Sequence, residues 1–223
     1  PPALKNINNL LEINKKLALL DPKRKHYQYY FSSYNASNNI MKCKQGLKNF
    51  LRSYFYFKSY DYKGNKPFKL KNFKAKEISK MPEYYIMKLN LGMAQTVKKY
   101  SPSNIEVSKS IWLNDADLNY YVKNFRNSGI KKPLSWYKVM LSKKEQLRII
   151  NLNLPKSIYI PSIFISGSAD WGMYQKPGEL EKMENIFLKN YFGRFIVKKA
   201  GHWVQQEQPN KTFELIIKFL KKL

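Results

Sequence analysis

From residue 158 to its C-terminus the chain alternates between two hydrophobic rhythms. IYIPSIFISGS is a short apolar run, rich in Ile and ending in small residues, the pattern of a buried strand. PGELEKMENIFLKNYF follows, with Pro177 at a helix start and Leu180, Met183, Phe187 and Tyr191 on one face. RFIVKKAG is a second short strand. After Pro209, the residues Phe213, Ile216, Ile217 and Leu220 recur at helical spacing. Strand, helix, strand, helix means parallel strands joined by a crossover, so this end of the chain is an α/β layer.

The preceding sequence reads differently. Residues 3–20 form a helical pattern stopped by Asp21-Pro22. HYQYYF and a second helical stretch, QGLKNFLRSYFYF, come next. Residues 58–75 are polar, and Gly64-Asn65 and Pro67 mark them as a loop. Asn114 in LNDADL caps a helix, with Asp115 and Asp117 in its electropositive first turn. Leu118, Tyr121, Val122 and Phe125 line one side of that helix, and Gly129 lies just past its end. No strand is expected before about residue 157, and no internal repeat is visible. The expected organisation is a helical segment over 1–140 and an α/β segment over 141–223.

Charge points to nucleic acid at first sight, with 41 basic against 15 acidic residues and a formal net charge of +26. The basic residues are nearly all Lys, spread along the chain, whereas base and phosphate recognition favours clustered Arg. They read as a solvated surface, and no nucleic-acid partner is expected. The one cysteine, Cys43, rules out an internal disulfide, and two histidines, His26 and His202, leave little for a metal cluster. No metal or cofactor is expected, and no apolar run is long enough for a membrane helix. The chain opens PPALKN without an initiator Met and reads as a fragment. A cytoplasmic location is expected.

In parallel α/β sheets ligands gather at the carboxyl ends of the strands. Asp170 directly follows one expected strand and His202 the next. One crossover apart, they belong at the same sheet edge, within hydrogen-bond reach. SADWG also has the spacing of a nucleophile elbow around Asp170. A triad running nucleophile, acid, His along the chain would then need an acid and a further strand before His202. The interval holds only Glu179, Glu181 and Glu184, all in the crossover helix. Asp170 therefore reads as the acid that orients His202 and stabilises its imidazolium. The bland alternative is a structural histidine beside a loop aspartate.

AGHWVQQEQP, with SADWGMYQKPGELEKM before it, resembles the end of the epoxide hydrolases of the α/β-hydrolase fold. IKKPLSWYKVM resembles that family's lid motif and HYQYYF its first lid segment; QGLKNFLRSYF, GNKPFKL and YYIMKLNLGMAQTV are similar to other stretches of it. The resemblance runs over nearly the whole chain. It implies a partial α/β-hydrolase fold, a helical lid followed by the last two parallel strands and helices of the core. It implies a two-step conversion of an epoxide and water into a vicinal diol. A nucleophilic Asp forms an alkyl-enzyme ester, two lid tyrosines protonate the alkoxide, and a His-Asp pair activates water. Tyr27 and Tyr137 match the lid tyrosines, Asp170 the acid and His202 the base. Trp136 and Trp203 would pack the site wall, although ordinary core packing accounts for them equally well. The family's nucleophile precedes its lid, and no second elbow follows a strand here, so the 223 residues alone are expected to be inactive. A dehalogenase, which lacks the tyrosine pair, or another hydrolase of the same fold, and a non-catalytic truncated binding protein are the alternatives.

Overall fold

The computed structural model describes residues 7–152 and 154–223. The chain forms two compact units, residues 1–54 with 74–154, and residues 55–73 with 155–223. The expected division at residue 140 is linear along the chain, whereas in these units residues 55–73, the end of the helix Gly46–Lys58 and the loop after it, go with the second and residues 141–154 with the first.

The first unit begins with α1 (Ile7–Ala18), where Leu10, Ile13 and Leu17 share a buried stripe. The expected helix over residues 3–20 thus ends before the Asp21-Pro22 stop, and residues 3–6 lie outside the described part. Strand β1 (Arg24–His26) runs straight into α2 (Tyr27–Ser32), and α3 (Asn35–Met41) and α4 (Gly46–Lys58) follow. Helix α5 (Ala75–Ile78) precedes strand β2 (Ile86–Lys88), and β1 and β2 pair antiparallel with His26 opposite Ile86. This corrects the expectation of no strand before residue 157. RKH has no alternating pattern, and its pairing comes from a partner some sixty positions away, which no local window shows.

Helices α6 (Met93–Lys98), α7 (Asn104–Lys109), α8 (Asp115–Ser128), α9 (Lys131–Leu141) and α10 (Lys143–Asn151) complete the unit. The Asn114 side chain accepts from the Asp117 N–H, and Gly129 ends α8 at φ +68°, as the sequence pattern predicts. Leu118 and Val122 are its buried residues. Ile40, Tyr85, Ile86, Met87, Met93 and Val97 are among the most completely buried side chains here.

In the second unit, β3 (Ser162–Gly167) and β4 (Tyr191–Val197) pair parallel, with Phe164 opposite Arg194 and Gly167 opposite Val197. The crossover differs from the expected long helix. It consists of a 3-10 turn (Trp171–Tyr174), a one-turn helix α11 (Glu179–Lys182) and a wide π turn (Met183–Phe187). Tyr191 belongs to β4, because Ser162 donates its N–H to the Asn190 carbonyl and draws the chain into the sheet early. Only the last two residues of β3 are buried, so this is not the fully buried strand that its composition suggests. Helices α12 (Val204–Glu207) and α13 (Pro209–Leu220) close the chain, with Val197, Ala200 and Val204 forming a small core against Ile165 and Leu215. Among the described residues, no helix is long and apolar enough to cross a membrane.

Candidate active site

Two glycines let the loop after β4 pack closely, Gly167 at the end of β3 on one side and Gly201 against residues 58–60 on the other. A Cβ on Gly167 would collide with the carbonyls of Ala200 and Gly201. One on Gly201 would lie 2.6 Å from the Ser59 carbonyl carbon. Main-chain bonds stitch the same loops, from Ser168 N–H to Val197 O and from Ala169 N–H to Ala200 O, both 2.9 Å. Lys199 takes a left-handed conformation, φ +56°, just before this crossing.

The crossing delivers Asp170 and His202 to one place. Asp170 Oδ1 lies 3.0 Å from His202 Nδ1 and also accepts the Gly172 N–H at 2.7 Å. Ser166 Oγ donates to its other oxygen at 3.3 Å. The carboxylate side chain is 14% exposed and the imidazole 31%. Burial works to raise the Asp170 pKa, but the His202 contact, the Gly172 N–H and the Lys58 charge together hold it below the ordinary value. Burial, then Lys58, pushes His202 down, and Asp170 only partly restores it. An imidazole with Nδ1 engaged by a carboxylate keeps Nε2 for proton exchange.

Lys58, at the end of α4, is 5% exposed. Its carbonyl accepts the His202 N–H at 3.0 Å, and its Nζ lies 5.3 Å from the centre of the Trp203 ring. Burial brings its pKa down to about 7 despite the Asp170 charge. Glu207 on α12 is also buried and accepts three main-chain N–H groups, from Tyr60 at 2.8 Å, Gly201 at 2.9 Å and Trp203 at 3.0 Å. It therefore fixes the residues on both sides of His202. Sequence reasoning missed both groups. Lys58 looks like any other lysine in a basic chain, whereas Glu207 stood within a quoted motif, and its burial was the missing signal. Trp203 donates its indole N–H to Phe55 O at 2.9 Å and meets the His202 ring edge-on at 4.9 Å between centroids.

The tyrosines matched to the lid lie in the first unit. Tyr27 opens α2 and Tyr137 sits on α9, with ring centroids 5.9 Å apart at 76°. Phe31 packs on Tyr137 at 5.1 Å and Tyr85 on Tyr27 at the same distance. Gln28 Nε2 donates to the Tyr27 hydroxyl at 3.2 Å. Burial raises the Tyr137 pKa. A third tyrosine, Tyr54, is held well above its ordinary range by burial and then by Tyr137 and Tyr27, so it adjoins the pair. Trp136, expected to pack a site wall, is 67% exposed on α9. His26 is buried as the cap of α2: its Nδ1 accepts the Gln28 N–H, and its own N–H goes to Asn14. No group of three metal-ligating side chains occurs among the described residues.

No protein-family model matches the sequence. Epoxide hydrolase B of Mycobacterium tuberculosis is 32% identical over 109 residues, 49% of this chain and 30% of that protein. Bifunctional epoxide hydrolase 2 of Rattus norvegicus is 28% identical over 123 residues, 54% of this chain and 20% of that protein. The chain is similar in sequence to epoxide hydrolases over about half of its length. Its fold agrees. A solved epoxide hydrolase from an endophytic Streptomyces superimposes with a TM-score of 0.69 at 18% identity, over 96% of this chain and 55% of that one. A laboratory-evolved variant of potato epoxide hydrolase gives 0.65 at 14% identity, over 97% and 56%. The chain thus spans little more than half the length of the solved structures it matches, and its aligned part under a third of the curated proteins.

Proposed function

We propose that the protein hydrolyses epoxides to vicinal diols, with His202 as general base, Asp170 as its orienting acid, and Tyr27 and Tyr137 as proton donors. An aspartate outside the positions matched in this chain attacks an epoxide carbon. The carbon–oxygen bond breaks as a tyrosine O–H gives its proton to the leaving alkoxide, leaving an alkyl-enzyme ester. His202 Nε2 then takes a proton from water, and the resulting hydroxide adds to the ester carbonyl. The ester bond breaks, the second hydroxyl of the diol takes its proton as the aspartate is restored as a carboxylate, and the remaining proton passes from the imidazolium to the tyrosinate left by the first step. Phenols suit the first step because a donor in a poorly solvated pocket stabilises a growing alkoxide. A histidine held below its ordinary pKa suits the second, because it is neutral and able to accept a proton at pH 7.

The observation that carries the reading is the 3.0 Å contact of His202 Nδ1 with Asp170 at the ends of successive parallel strands, in a chain similar to epoxide hydrolases. Trp203 and Trp136 enter it as the substrate wall, although Trp136 is exposed here. A dehalogenase shares the His-Asp chemistry and has no use for paired tyrosines, so the 5.9 Å approach of Tyr27 and Tyr137 favours the epoxide. A cytoplasmic location is part of the proposal.

The test uses the protein expressed from its complete reading frame, with a small epoxide and a haloalkane of the same carbon skeleton. Diol from the epoxide, nearly abolished in Y27F/Y137F and partly retained in each single variant, is expected. Halide release, or unchanged epoxide turnover in the double variant, would transfer the protein to the dehalogenase reading. A reading frame with no strand and Gly-X-Asp-X-Gly elbow before Pro1 would favour a binding protein.

A further inference from the structure

Lys58 is a buried amine, charged in the acid range where His202 titrates, for which the proposed reaction has no role; its carbonyl accepts the N–H of the residue that must exchange a proton. Four groups surround the imidazole. Asp170 meets Nδ1 from the end of β3. The Trp203 ring stands edge-on to it. Lys58 accepts the His202 N–H through its carbonyl and holds its ammonium over the same Trp203 ring. Glu207, whose neighbour Asp61 adds a further negative charge, gives both oxygens to main-chain N–H groups on either side of His202. Only one of these groups is a cation. At 5% exposure its charge is weakly screened by water, and the face of an indole is a stable seat for an ammonium.

We infer that Lys58 is a positioning residue of the site: its ammonium, seated on Trp203, opposes a second positive charge on His202 and helps to keep the imidazole neutral and free to accept a proton. The inference deepens the proposed reaction and rests on reading His202 as its general base. Without Lys58, burial alone would oppose the carboxylate of Asp170, and His202 would hold its proton to higher pH, so a larger share of the imidazole would enter the ester-hydrolysis step already charged. With Lys58, Asp170 can orient the ring without saturating it.

The experiment is an NMR titration of histidine-labelled protein, expressed from its complete reading frame, with the His202 signal assigned by its loss in H202N. The wild-type midpoint is expected below the ordinary histidine value of 6.5. K58M and K58Q should each bind the His202 proton about tenfold more tightly, as removal of a like charge from a poorly solvated pair requires. K58R should leave His202 low, and His26 should not respond. The acid limb of the turnover profile should move to higher pH in the neutral variants. A wild-type midpoint at or above 6.5, or an unmoved midpoint in either folded neutral variant, overturns the inference. Failure of both neutral variants to fold would assign the charge to stability and overturn it as well. Because the titration needs no substrate, absence of epoxide turnover would end the reaction reading while the coupling of the two charges was still measured directly.

Discussion

At the scale of single residues, His202 and Asp170 share one direction of pH response. Each is held below its ordinary value in the fold, so the unfolded chain binds more protons than the folded one. Stability therefore rises with pH through the interval just below 6.5 for His202 and just below 3.8 for Asp170. Resistance to urea in that upper window should weaken as pH falls, and H202N should flatten the slope there. Turnover should fall over the same range as the imidazole becomes charged. D170N should cost on the order of 10⁴ in turnover, by the measure of other His-orienting carboxylates. A loss under tenfold would remove Asp170 from its role. Glu207 makes a different prediction. E207A leaves three main-chain donors without their carboxylate, and roughly 2–4 kcal/mol of stability should go with it. Equilibrium unfolding of the complete protein measures this, and a change under ~0.5 kcal/mol would show the contacts to be dispensable.

Elements carry the next level of constraint. The end of β3 meets the loop after β4 so closely that Gly167 has no room for a Cβ, and the backbone of residues 58–60 denies one to Gly201. G167A should therefore disturb the Asp170–His202 contact although it touches neither side chain, with loss of turnover and at least ~2 kcal/mol of stability. An alanine variant of wild-type stability would mean that the loops can part without cost. By contrast, N114A removes one side-chain cap from α8 and should cost only about 1 kcal/mol with no effect on His202. Local signals explain why some elements were legible and others not. The cap at Asn114, the stop at Gly129 and the apolar run of β3 are written within a few residues of where they act. Strand β1 is not, because RKH becomes a strand only through Ile86–Lys88. The crossover failed for a related reason. Its 3.6-residue pattern from Leu180 to Tyr191 is real, but pairing with β3 claims Tyr191, whose hydroxyl then donates to Glu184 at 2.7 Å.

For the whole molecule, the second unit sets the expectation. Its two parallel strands form a sheet that is marginal by itself, and parallel strands are stable when covered on both faces. Ile158, Ile160, Ile186, Ile196, Phe213 and Leu220 are each at least 44% exposed. The 223-residue chain on its own should therefore melt without a sharp cooperative transition, bind hydrophobic dyes and yield no diol. Circular dichroism, dye fluorescence and an epoxide assay on that chain check this, and a cooperative melt or measurable diol would refute it. What the sequence alone determined is local in origin. Strand ends rich in small residues place Asp170 and His202 at one edge, whereas Tyr137 and Tyr27 are proposed only through the resemblance of PLSWYKVM and HYQYYF to the lid stretches of a family. What only the tertiary structure decided is burial and the company it brings. It puts Lys58 over Trp203, turns Glu207 onto three main-chain N–H groups, and leaves Trp136 facing water. A side chain's charge state and solvent exposure depend on atoms contributed from distant parts of the chain, and no local pattern of residues contains them.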